Sequence, residues 1–212
     1  MKKCNSNNFL KKITLKVVIF LGLLVSSLFI NLVKVQAEEK EYQISSVNIQ
    51  AELKTDGSME VTETRTYNFT GDFRFAYQRI NLKPDQKTDP GRSESYRVRI
   101  KSLCDEKTCY KFVEPNKIDL TERRNNQPGT YTVIYNNDEV YIQWHYATVN
   151  GSKVFKLNYL VDNAVTLHED VAELYWQFVG SEWEVAQKNI TVDLNLPDGI
   201  SGDDIEAWGH GE

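Results

Sequence analysis

The sequence is poor in the residues from which metal centres and disulfide-stapled folds are built. It holds 3 cysteines and 3 histidines in 212 residues. Cys4 precedes an apolar run and occupies no lipid-modification position, and Cys104 and Cys109 are separated only by Asp-Glu-Lys-Thr. In an exported chain such a pair closes a local disulfide across a turn or stays as two thiols. A zinc site would want further Cys or His ligands nearby, and the sequence has none there. His145, His168 and His210 lie too far apart to share a ligand spacing. There is no Gly-rich phosphate loop, no G-x-S-x-G and no Cys-His arrangement, so we expect no cofactor and no enzyme.

Basic residues are scarce beyond the N-terminus. Six of the 25 Lys and Arg and none of the 30 Asp and Glu fall in the first 37 residues, which leaves 19 basic and 30 acidic residues and a formal charge of −11. Nucleic acid and anionic lipid reward Lys and Arg, so neither is an expected partner of the acidic part. Asp198, Asp203, Asp204 and Glu206 in "DGISGDDIE" lack the alternating ligand order of a calcium loop. Glu169, Asp170 and Glu173 beside His168 read as a solvated acidic turn. Asn68, Asn150 and Asn189 each open an N-x-S/T sequon, which matters only in a host that glycosylates exported chains.

What the chain does have begins with a three-part export signal. Lys2, Lys3, Lys11, Lys12 and Lys16 precede an apolar run from Val17 to Val33, and "VQA" stands before Glu38. We expect residues 1–37 to be a signal peptide cleaved after Ala37, with an uncleaved membrane anchor as the alternative. Either way the remainder lies outside the cytoplasm.

That remainder reads as strands. Val47, Ile49, Ala51 and Leu53 share one face before "KTDG", a hairpin turn into "SMEVTETRTYNF". Tyr96, Val98 and Ile100 alternate with Arg97, Arg99 and Lys101. Similar alternation runs through Tyr131 to Tyr135, Val140 to Tyr146, Phe155 to Val161 after an "NGS" turn, "AELYWQF", and Ile190 to Leu196. A turn or two of helix is expected around "VTLHEDVAE". The expected fold is an all-β antiparallel β-sandwich, immunoglobulin-like or jelly-roll-like, over residues 38–197. Residues 198–212 read as the start of a following region.

The strand from Ser58 to Phe69 poses a question. Met59, Val61, Tyr67 and Phe69 mark an apolar face, yet Glu63 and Arg65 sit in its middle. A buried carboxylate needs a cationic partner. Arg65 is one candidate, and Arg79 is the favoured one because Phe73, Phe75, Tyr77 and Arg79 repeat the pattern of charge at the end of an apolar stripe. The expectation is therefore a structural Glu63–Arg79 ion pair at the rim or end of the sandwich. The alternatives are Glu63 as a general acid or ligand contact in a cleft, and a bulge that flips the register and sends both charges to solvent. Among the tryptophans, Trp144 and Trp176 read as core, and Trp183 in "GSEWEV" is the candidate exposed aromatic.

Several of these stretches together resemble one family. "VNIQAELKTDGSMEVTETRTYNFTGDF", the Arg79-Ile80 pair, "FKLNYLVDNAVTLHEDVAELYWQFVGSEWEVAQKNITVDLNLP" and the final "WGHGE" are similar to the N-terminal extracytoplasmic domain of bacterial predicted membrane proteins catalogued as domain of unknown function 2207. The resemblance runs from about Tyr42 to the C-terminus. It implies an exported signal, a β-rich domain and transmembrane helices near the C-terminus of a longer parent chain, with no established activity. The expected function is a non-catalytic recognition or assembly module at the cell envelope, and the alternative is a carbohydrate-binding or carbohydrate-active envelope protein. The expected partners are an envelope protein or a glycan, with the membrane reached through the signal segment or through C-terminal spans of the parent.

Overall fold

Two hairpin-forming signals start the fold. After β1 (Glu41–Leu53) the chain turns at Lys54–Gly57, where Gly57 takes φ +79° and the Ser58 amide is held by Asp56 Oδ1 at 2.9 Å. Only glycine adopts that backbone cheaply, which is why "DG" reverses the chain here. The turn delivers β2 (Met59–Asn81) antiparallel to β1, with Ile49 opposite Glu63 and Ala51 opposite Val61. Then follow β3 (Val98–Asp105), β4 (Lys111–Phe112), β5 (Thr130–Tyr135), β6 (Glu139–Val161), β7 (Val165–Leu167), β8 (Ala172–Leu174) and β9 (Ile190–Asn195). The computed structural model describes residues 40–84 and 91–209, and the expected signal segment lies outside the described residues. Those described belong to one compact unit, Glu39–Glu212.

Seven strands form one sheet in the order β4-β5-β6-β2-β1-β9, with β3 on the other half of β6, and β7 pairs with β8 separately. Neither sheet closes into a barrel, and the fold is all-β as expected. Its two layers come largely from one sheet. Gln78 and Glu63 are 15 residues apart in β2, a separation of roughly 50 Å in a straight strand, yet their side chains meet at 2.7 Å. Likewise Trp144 and Phe155 of β6 have ring centroids 5.5 Å apart. Both long strands therefore bend and lay one half of the sheet over the other.

The bend has a local cause. Pairing of β2 with β6 is interrupted between Phe69 and Asp72 and again between Phe73 and Phe75. Gly71 there has φ +93° and donates its amide to Asn150 Oδ1 at 2.6 Å, while Asn150 and Gly151 across the pair also take positive φ. Such bulges are the usual means of curving a sheet. A Cβ on Gly71 would lie 3.0 Å from Lys40 Cγ. We expect Gly71→Ala to lower stability by about 1–3 kcal/mol, read as a lower urea midpoint at unchanged slope; an unchanged midpoint would show that the bend does not need this backbone geometry.

Three sequence expectations need correcting. The "NGS" segment is no turn between two strands: β6 runs through it for 23 residues, because each half of β6 pairs with a half of the equally long β2. The helical hint at "VTLHEDVAE" is the β7–β8 hairpin, closed by the His168 amide on Val171 O at 2.8 Å. In "AELYWQF" only Ala172–Leu174 is strand. Trp176 and Phe178 continue as irregular chain packed on the core with Trp183 and Val185.

Candidate functional site

The charged middle of β2 lies inside the molecule. Glu63 and Arg65 are 2% and 3% exposed. They occupy alternate positions of one strand, so both point into the space between the two halves of the sheet. Arg65 Nη1 donates to Glu63 Oε2, and the two form an ion pair. Gln78, arriving from the folded-over half of β2, donates its amide nitrogen to Glu63 Oε2 at 2.7 Å and accepts from Arg65 Nη1 at 3.3 Å. Tyr159 of β6 donates its hydroxyl to Glu63 Oε1 at 2.7 Å. On the other side, Arg65 Nε donates to Gln187 Oε1 at 3.1 Å, and the guanidinium carbon sits 4.7 Å over the Trp183 ring.

These contacts fix the ionisation. Burial alone would lower the Arg65 pKa, but the Glu63 carboxylate raises it, so the guanidinium stays charged. Burial, then the adjacent carboxylate, pushes the Tyr159 phenol far up, which makes it a permanent donor. The cavity bordered by Glu63, Arg65, Gln78 and Trp144 is ≈ 10 Å³, about the space one water molecule requires. What the cluster does chemically is clamp one half of the sheet to the other.

The expected Glu63–Arg79 pair is corrected by this geometry. Before the bulges the buried residues of β2 are Met59, Val61, Glu63, Arg65, Tyr67 and Phe69; after them they are Gln78 and Ile80. The change of parity turns Arg79 outward, where it is 3.8 Å from Glu139 and stacks over Tyr77 and Tyr141. Glu63 instead finds Arg65, the other partner named by the sequence, and the pair lies in the interior between the halves of the sheet rather than at its rim or end. A bulge flips the register, as one alternative held, but leaves both charges of the first half buried.

The remaining predicted residues are placed as follows. Cys104 and Cys109 are joined by a disulfide that closes a loop at the end of β3. Within that loop Asp105 would be raised by burial, but the amides of Lys107 and Thr108 and the Lys153 ammonium lower it to about 2. Trp183 is half-buried, with Arg65 on one ring face, and Trp208 is 74% exposed. Among the described residues, no group of three or more His, Cys, Asp or Glu side chains is arranged to hold a metal, and no helix is long and apolar enough to cross a membrane.

Sequence reasoning missed a second buried polar chain. His145, read only as a stray histidine, is fully buried between Thr130 and Gln143. The signal was present in the alternation of Tyr141, Gln143 and His145 with Val140, Ile142 and Trp144, since polar side chains repeated at period two on a strand with one apolar face must share its other face.

Residues 43–212 match the family model described as the predicted membrane protein (DUF2207) N-terminal domain. The chain belongs to the DUF2207 family. No curated protein sequence matches it. Among solved structures, this DUF2207 domain is similar to an M1 zinc metallopeptidase from Deinococcus radiodurans at 7% identity and TM-score 0.37, over 76% of this chain and 34% of that one. A two-domain M1 zinc metallopeptidase bound to L-tryptophan matches at 7% identity and TM-score 0.31, over 58% of this chain and 21% of that one. The chain thus spans about a fifth to a third of those structures' length.

Proposed function

We propose that this DUF2207 domain is a non-catalytic assembly module on the outer face of a bacterial cell membrane. The observation that carries the reading is where apolar surface is left uncovered. Ile190, Val192 and Leu194 of β9, then Ile200, Ile205 and Trp208, are all exposed within one short stretch. The three β9 residues share one face of the strand, and an exposed apolar stripe of this kind marks a site of protein contact. The densest buried polar cluster, by contrast, is enclosed around a space of ≈ 10 Å³, too small for a substrate. The export signal in the sequence and membership of a predicted membrane protein family support the location.

A carbohydrate-binding or carbohydrate-active role draws less support. Trp183 is half-buried and Arg65 covers one face of its ring, which leaves at most one face to stack on a sugar. The assembly reading is tested by placing a photoreactive residue at position 192 of the full chain in living cells and, as a control, at exposed Lys156. Discrete membrane-fraction adducts from 192 alone are expected; equal yields from both positions, or none, would reject it.

A further inference from the structure

The inference rests on the assembly reading and names the chemistry of the partner. Among the described residues, β9 is the last strand of its sheet, paired in parallel with β1 alone. In that register Ile190 lies beside Val47, Val192 beside Ile49 and Leu194 beside Ala51. The three β1 residues are 0–1% exposed, whereas the three β9 residues are 47%, 40% and 38% exposed. The apolar core face of the sheet therefore runs one strand beyond the part that the chain covers.

Among the described residues, β9 itself lacks three of the devices by which exposed edges are normally blunted, Lys, Pro and a bulge, although Lys188 stands two residues before it. Ile190–Asn195 contains none of the first two and pairs with β1 in unbroken register. The far edge of the same half-sheet is different. Along β3, Arg99 and Lys101 alternate with apolar residues, the register breaks between Ile100 and Ser102, and the disulfide loop folds back so that the Tyr110 amide bonds Leu103 O. One edge is protected, and among the described residues no strand pairs with the other.

Charge selects the occupant. From Ile190 to Gly209 there are five acidic residues, Asp193, Asp198, Asp203, Asp204 and Glu206, and no Lys or Arg. A second acidic edge laid against this one would repel it, while alternating apolar and basic side chains would meet Ile190, Val192 and Leu194 on one face and the Asp193 carboxylate on the other, with the acidic stretch that follows adding longer-range attraction. We propose that β9 is a docking edge for an extended segment of another protein, alternating apolar with Lys or Arg residues, which adds to the sheet as a further strand. The backbone is ready for this mode. The Val47 amide bonds Asn189 O, so the parallel ladder turns the main-chain groups of Thr191 and Asp193 toward β1 and those of Val192 and Leu194 toward the open edge.

The probe is a ten-residue peptide alternating valine and lysine, titrated onto the full 212-residue chain in detergent, with a valine and glutamate peptide as control. Saturable binding of the basic peptide alone is expected, with slowed amide exchange at Val192 and Leu194 and an affinity at least tenfold lower in Val192→Lys. That variant should keep the parent melting curve because the position is already exposed. Three results would overturn the proposal: equal binding of both peptides, binding without protection of those two amides, or no binding. Concentration-dependent self-association abolished by Val192→Lys would overturn it in favour of a second copy of the chain. Failure here together with discrete adducts from position 192 in cells would leave the assembly reading standing and remove only the basic strand.

Discussion

Replacing Glu63 with alanine lowers the unfolding free energy by about 3–5 kcal/mol, the usual effect of removing one partner of a buried ion pair. The cause is mainly what is left behind. Arg65, 3% exposed, keeps its charge without a carboxylate, and Gln78 and Tyr159 each lose an acceptor. Deleting both charges is expected to be milder. In a Glu63→Met, Arg65→Met double variant no unpaired charge remains, and apolar replacements of buried pairs are often neutral or stabilising. The double variant should therefore be more stable than either single one, a non-additivity that thermal or urea unfolding of the four proteins measures directly. A Glu63→Ala protein within about 1 kcal/mol of the parent would show that water reaches the carboxylate and that the clamp is not buried.

Stability should fall steeply as pH drops below about 6.5, the usual pKa of a free histidine, because of His145. Thr130 spends its single hydroxyl hydrogen on Gln127 O at 2.6 Å, so it accepts from His145 Nδ1, 3.0 Å away. Gln143 accepts from the Tyr141 hydroxyl at 2.8 Å, so its amide nitrogen donates to His145 Nε2, also at 2.8 Å. One ring nitrogen donates and the other accepts, which is the neutral ring. Burial lowers the His145 pKa. The unfolded chain thus takes up a proton near pH 6.5 that the folded chain refuses, and the native state loses about 1.4 kcal/mol per pH unit until the folded pKa is reached. His145→Gln should flatten the profile in that window and leave a later loss at lower pH. Asp105, held at about 2 when folded, adds stability that disappears only as pH falls from the free carboxylate range toward that value. A parent profile flat between pH 6.5 and 4.5 would reject the buried neutral histidine.

The strand content, the "KTDG" hairpin and the side of β2 that Glu63 faces were legible because each depends on local rules: side chains alternate along a strand, and positive φ calls for glycine. The sequence also named Arg65 as one of two partners. Choosing between Arg65 and Arg79 required counting faces through the Phe69–Asp72 and Phe73–Phe75 interruptions, and a bulge has no reliable sequence mark. Pattern reading assumed unbroken parity and so put Arg79 inward.

By itself, then, the sequence determined an all-β chain with an excess of acidic residues after residue 37 and a charge that cannot sit alone in its core. Tertiary structure decided that β2 and β6 are single strands bent over themselves, that Gln78, Tyr159, Gln187 and Trp183 complete the clamp, and that Ile190, Val192 and Leu194 of β9 are 38–47% exposed. The physical reason is the range of the interactions. Alternation and turn chemistry act between neighbours along the chain, whereas the bend brings together residues as far apart as Arg65 and Gln187, and only closure of the sheet sets which apolar stripe finds a cover.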